Sequence, residues 1–258
     1  SSWASGRSAP AASTARSPYD EVVGTQEAAA RWRRGRPLGT GSFGVVYKGF
    51  DPTSLRLLAV REVPLDTLGA AHRQRLELEL GIFQTLRHPN IVSHLGHERA
   101  GGHLCILLEY VPGGSMSSFL REFGALDGEA LKRASRGTLE GLHYLHTRSP
   151  PVVHGDVKGA NILVDTSLSV KLGDFGCSRW DTDNAPFATL GSLPWMAPEV
   201  IAGKGRRGRG ADVWSFGCAV AEMATAERPW GDSFFNNITD AMRRIATSSA
   251  RARAKSLP

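Results

Sequence analysis

Cysteine is scarce in this chain: Cys105, Cys177 and Cys218 are the only three in 258 residues. They are odd in number and far apart, which excludes a disulfide framework and offers no C-x-x-C pair for a structural zinc site. Reduced thiols in a cytoplasmic compartment are the plain expectation. Long apolar runs are also missing, since none approaches the roughly 18 residues a membrane-spanning helix needs; even Leu104 to Leu108 is closed at once by Glu109. Lysine is rare, with 6 residues against 25 arginines. The body of the chain has no excess of one charge. The net charge is +6, yet residues 1–37 hold six basic and three acidic groups, residues 241–258 hold five basic groups and no acid, and the stretch between them has 20 basic and 22 acidic residues. A nucleic-acid surface needs Lys and Arg clustered on one face. The one internal cluster, Lys204, Arg206, Arg207 and Arg209, lies in a Gly-rich stretch and reads as a solvated loop. No nucleic-acid partner and no membrane span are expected.

What is present is the composition of a globular protein, 41% apolar and 22% charged. Residues 1–31, rich in Ser, Ala, Gly and Pro without period, read as a flexible lead. Its acid-free first 18 residues would suit a transit peptide, but a fragment cut from a longer chain accounts for them more simply. From Arg36 to Glu62 two runs, Val45-Val46-Tyr47 and Leu55 to Val60, have the β-branched and apolar content of strands. Leu76, Leu80 and Phe83 then recur at helical spacing, and a second strand pair is expected around Ile91 to Leu95 and His103 to Leu108. Val111-Pro112-Gly113-Gly114 reads as a hinge. Beyond it, Leu131, Ala134, Thr138, Leu142 and Leu145 share one helical face, as do Val213, Phe216, Val220 and Ala224. A last periodic segment holds Ile238, Met242 and Ile245. Between the two long helices lies a loop-rich stretch from His154 to Glu199.

Gly39-Thr40-Gly41-Ser42-Phe43-Gly44 is a G-x-G-x-x-G turn. A dinucleotide fingerprint would lead into a helix, whereas a strand follows here, and the lysine of a Walker loop is absent. A nucleotide-binding oxidoreductase fails on that strand. A glycine turn between two strands can instead fold over a triphosphate, because no Cβ keeps the backbone N–H groups away.

His154 to Asn161 (H-G-D-V-K-G-A-N), Asp174-Phe175-Gly176 and Ala197-Pro198-Glu199 follow in that order. With the glycine loop and the hinge, they make residues 32–246 resemble a eukaryotic protein kinase of the serine/threonine type. The resemblance implies a two-lobed α+β fold. Residues 32–111 would form a small antiparallel β-sheet lobe with one helix. Residues 112–246 would form a larger, mainly helical lobe whose last helices are missing, and 247–258 a basic tail. It also implies Mg-ATP as cofactor, a protein hydroxyl as phosphate acceptor, and specific roles. Asp156 would orient the hydroxyl and accept its proton, and Lys158 would reach the transferred phosphate. Asn161 and Asp174 would supply oxygens to Mg²⁺. Gly39, Thr40, Gly41, Ser42, Phe43 and Gly44 would cover the phosphates. Val46, Ala59 and Leu163 would enclose adenine, with Leu108 as gatekeeper and backbone groups of Glu109 and Val111 making its hydrogen bonds. His154 and Phe175 would belong to a packed spine, and Asp212 would hold the catalytic loop. Glu79 would be the helix glutamate. Lys158-Gly159-Ala160-Asn161 and Gly191 to Glu199 are similar to the mitogen-activated protein kinase kinase kinase group, whose substrates would be the next kinase of a cascade.

Three positions depart from the family's pattern. Arg61 stands where the strand lysine that pairs with Glu79 is expected, and guanidinium is not a conservative replacement for ammonium. Gly155 stands where most relatives have an arginine that receives an activation-loop phosphate, so a phosphate at Thr182 or Thr189 would lose one partner. The short C-terminal part leaves Glu199 without its usual arginine, so a buried unpaired carboxylate and exposed apolar surface near Val213 and Val220 are expected. Cys177 is expected to be a small buried filler. Against a kinase stands a non-catalytic kinase-like module that binds nucleotide or a partner kinase as a scaffold, favoured by Arg61 and the short C-lobe.

Overall fold

The computed structural model describes residues 31–41, 44–66, 68–181, 190–203 and 208–247. The expectations for the lead, Ser42, Phe43, Thr182, Thr189, Lys204 to Arg207 and the tail beyond Thr247 lie outside these residues.

The first half is a five-stranded antiparallel sheet. Strands β1 (Arg33–Gly41), β2 (Gly44–Asp51) and β3 (Arg56–Pro64) are followed by helix α1 (Ala70–Phe83) and by strands β4 (His94–Ala100) and β5 (His103–Glu109), in the spatial order β1-β2-β3-β5-β4. Gly44 closes the glycine turn against Gly41. A Cβ on Gly44 would lie 1.9 Å from the Glu62 carbonyl oxygen, so any side chain there would push β2 off β3. Helix α1 buries Leu76 and Leu80 against Val63, Leu104 and Ile106 of the sheet, while Ile82 and Phe83 join the core of the helical half and Glu79 is buried between, and this apolar burial holds a short helix in place.

Two strand expectations need correction. β3 begins at Arg56, because Leu55 sits in the β2–β3 turn at φ 56° with its side chain exposed. Ile91 is not in β4: it bridges to Leu172 of the other lobe, so the H-P-N turn ties the sheet to the helical half.

The second half holds α2 (Met116–Phe123), α3 (Gly128–His146), four short strands β6 (Val152–Val153), β7 (Ile162–Val164), β8 (Val170–Leu172) and β9 (Arg179–Trp180), then α4 (Pro198–Ile201), α5 (Arg209–Thr225) and α6 (Ile238–Ala246). The expected face of α3 is buried through Ala134, Thr138, Leu142 and Leu145, and Gly137 and Gly141 let it lie against the Asn90 and Val170 region. The α5 expectations divide: apolar surface is exposed at Val213 as expected, but the Val213, Phe216 and Val220 face is not the one that turns inward. The buried stripe of α5 is Ala211, Asp212, Ala219, Glu222 and Met223, while Val213 is 54% exposed and Phe216 and Val220 are only partly covered. On α6 the buried residues are Ala241 and Ile245, and Ile238 is exposed. Glu199 is exposed too, so water solvates its carboxylate and the expected cost of a buried unpaired charge does not arise. The architecture is the two-lobed α+β arrangement, with a cleft between sheet and helices that the Val111–Pro112 hinge crosses.

Candidate active site

The catalytic loop is built around Asp156. Its Oδ2 accepts from Lys158 Nζ at 2.8 Å and from Asn161 Nδ2 at 2.9 Å, and its Oδ1 accepts from the Ser192 hydroxyl. Lys158 Nζ also reaches Ser192 Oγ at 2.8 Å. Burial alone would raise the Asp156 pKa, but the Lys158 charge and the bonds from Lys158 and Ser192 outweigh it and hold the carboxyl below its ordinary value. The group is therefore ionised at neutral pH. Each carboxylate oxygen has about two lone pairs, so Oδ1 keeps one for a further donor. Asn161 spends its amide N–H groups on the Asp156 carbonyl and carboxylate, and the residue lines the cleft.

Asp212, 1% exposed at the start of α5, anchors that loop. It accepts from the N–H groups of His154 and Gly155, both at 2.8 Å, and from His146 Nε2 at 2.9 Å. The buried carboxylate is thus paid in full by converging donors. Glu222, nearly three turns further along α5, serves a second anchor point. It accepts from Gly159 N at 2.9 Å, Ser117 Oγ at 2.7 Å and Trp195 Nε1 at 2.9 Å, joining α2, the catalytic loop and the segment before Ala197-Pro198-Glu199.

Across the cleft, β3 carries Arg61, 5% exposed, and α1 carries Glu79, 2% exposed. Arg61 Nη2 lies 2.5 Å from Glu79 Oε1 and Nη1 lies 3.5 Å from Asp174 Oδ1. Burial pushes the Glu79 pKa up, and the Arg61 charge offsets part of that. Asp174 sits at φ 52° with Oδ1 accepting from Gly176 N at 3.2 Å. Behind it a column of rings crosses the cleft: His94 on Phe83 (5.6 Å), Phe83 on Phe175 (4.7 Å) and Phe175 on His154 (5.0 Å). Burial, with the neighbouring His97 and Arg87, lowers the His94 pKa to about 4, so the top ring is neutral at pH 7. Cys177 is half-buried rather than a core filler, with its Sγ 3.5 Å from Arg75 Nη2.

Between these groups lies a cavity of about 470 Å³, within the range of small-molecule sites. Of the candidate residues, Gly39, Thr40, Val46, Ala59, Arg61, Leu108, Glu109, Val111, Asn161, Leu163 and Asp174 line it. Gly41 and Gly44 lie in β1 and β2 beside it, Glu79 stands behind Arg61, and Asp156 and Lys158 lie outside the lining. The Glu109 N–H is engaged with the Ser93 carbonyl at 3.0 Å, so that residue cannot offer its amide to a base. A Cβ on Gly39 would meet nothing within 4 Å. Apolar walls at one end and hard oxygen donors from Asn161 and Asp174 at the other fit a nucleotide with a divalent cation.

The family described as "Protein kinase domain" matches residues 32–257. The chain belongs to the protein kinase family. It is 44% identical over 214 residues to "Mitogen-activated protein kinase kinase kinase 2" of Arabidopsis thaliana, an alignment covering 79% of this chain and 32% of that protein. It is 40% identical over 242 residues to "Mitogen-activated protein kinase kinase kinase A" of Dictyostelium discoideum, covering 90% of this chain and 25% of that one. With "Mitogen-activated protein kinase kinase kinase 3" of Homo sapiens it shares 42% identity over 211 residues, 78% of this chain and 33% of that protein. The chain spans a third or less of the length of these relatives.

For a kinase, the sequence reading missed Ser192 and Glu222. Ser192 stands near the Ala197-Pro198-Glu199 motif but looks like any loop serine, and Glu222 lies on a helix where glutamates are usually solvated. Gly155 also gains a physical reason that its replacement of arginine did not supply. It has φ 80°, and a Cβ there would lie 2.7 Å from the Cys177 carbonyl oxygen. Gly155→Ala is therefore expected to destabilise the kinase by about 1–3 kcal/mol through backbone strain, read as a fall in Tm; an unchanged Tm would show that the loop relaxes freely.

Proposed function

We propose that this chain is the catalytic core of a serine/threonine protein kinase that passes the γ-phosphate of ATP to a hydroxyl of a downstream kinase in a mitogen-activated cascade, in the cytoplasm. The names of the relatives support the cascade. The observation that carries the activity is Asp156, ionised and bonded to Lys158, Asn161 and Ser192, with a lone pair of Oδ1 left for a substrate hydroxyl. Its low proton affinity suits a group that orients the hydroxyl and takes the proton late, when phosphorus–oxygen bond formation has already acidified it. Lys158, beside it, would meet the charge of the transferred group. The N-lobe (32–111) would hold the base of ATP between Val46, Ala59 and Leu163, with the Glu109 carbonyl and Val111 at the hinge and Leu108 as gatekeeper. The glycine turn from Gly39 to Gly44 would cover the phosphates, with Arg61 and Glu79 below them. Asn161 and Asp174 of the C-lobe (112–246) would hold a divalent cation, Mg²⁺ in this reading. When bound, that cation withdraws charge from the phosphate oxygens.

A second reading, a nucleotide-binding module without transfer, is favoured by one observation: both terminal nitrogens of Arg61 are engaged by carboxylates. Measuring ATP binding and transfer of labelled γ-phosphate to a serine-containing protein substrate separates the two. Slow but definite transfer is expected; binding with no transfer would leave the module reading standing.

A further inference from the structure

We propose that Arg61 makes nucleotide binding by this chain less dependent on a divalent cation than it would be with lysine at the same place. The inference rests on the nucleotide-site reading of the cleft. Asp174 lines the cavity and is the carboxylate that a cation there must use. Its Oδ1 is already shared between the Gly176 N–H at 3.2 Å and Arg61 Nη1 at 3.5 Å. The guanidinium cannot move off freely, because Nη2 is tied to the buried Glu79 at 2.5 Å and the side chain is 6% exposed.

A guanidinium keeps its proton at any working pH, and its planar fork spans two carboxylates with two separate nitrogens. A lysine ammonium is a single centre and cannot do so. The Asp174 carboxylate therefore faces a built-in positive charge before any cation arrives. A cation bound there stands within a few ångströms of a like charge in a place where water screens weakly.

Cation and nucleotide are linked ligands, so the factor by which one strengthens the other is the same in both directions. Because Asp174 is already shared with Arg61 and Gly176, a cation reaches it mainly together with the nucleotide, and the like charge it meets in that complex shrinks the factor. The test uses the whole 258-residue chain and its Arg61→Lys variant, with a fluorescent ATP analogue titrated in EDTA and in saturating magnesium chloride. The ratio of the two Kd values is expected to be about tenfold smaller for the parent than for Arg61→Lys. Arg61→Gln, which removes the charge but keeps a planar head, should also raise the ratio, and it keeps the test decisive if the lysine variant does not fold. A parent ratio equal to or larger than those of the folded variants overturns the proposal. A parent that binds no nucleotide in either condition overturns the nucleotide-site reading itself.

Discussion

Replacing Arg61 by lysine is expected to raise phosphoryl transfer about a hundred- to a thousandfold, the size of effect found when one preorganised electrostatic contact is gained or lost. In the parent, Nη2 is spent on Glu79 and Nη1 leans on Asp174, and the unpartnered Arg61 Nε is buried. A phosphate arriving in the cavity finds the charge, but both terminal nitrogens of the guanidinium are already directed at carboxylates. Lysine would keep the Glu79 pair and leave two ammonium protons for phosphate oxygens. Lys48, a neighbour on β2, does not fill the role, because its Nζ lies over the Tyr110 ring at 4.8 Å. The measurement is the steady-state rate of labelled phosphate transfer by the two proteins at saturating ATP. An equal rate would mean that Arg61 does not limit catalysis, and the replacement at this position would then be a matter of the chain's general preference for arginine.

Asp156→Asn should act in the opposite direction and by as much or more, lowering kcat by about a hundred- to ten-thousandfold, the usual worth of a positioned acid–base group. The asparagine loses the charge that Lys158 faces and presents an N–H group where Asn161 and Ser192 already donate. Asp156 does not line the cavity, so nucleotide affinity should stay at the parent value. The experiment is best run in the Arg61→Lys background, where transfer is faster. A variant that keeps its rate would remove Asp156 from the reaction, and one that loses nucleotide binding as well would mark a folding defect instead.

The site was legible where its residues are neighbours in sequence. Asp156, Lys158 and Asn161 lie within six residues, and one tight loop brings them onto a single carboxylate. Glu79 was legible only through the resemblance, nine residues ahead of His88 and with Glu77 competing; the structure places it on the buried stripe of α1, three residues after Leu76 and four before Phe83. The α5 face was read wrongly for a related reason. Hydropathy looks for apolar residues, while the buried stripe of α5 includes Asp212 and Glu222, whose burial depends on N–H groups delivered by His154, Gly155 and Gly159 from a distant loop.

The amino-acid sequence by itself determined the order of the motifs, the lobes they imply, and the presence of arginine at position 61 in place of lysine. These follow from local spacing and residue chemistry, which need no knowledge of distant neighbours. Only the tertiary structure decided which carboxylates that arginine serves, why Gly155 leaves no room for a side chain, and which face of α5 turns inward. Each of these depends on groups far apart in the chain meeting at hydrogen-bonding distance, and a buried charge is stable only where such donors converge.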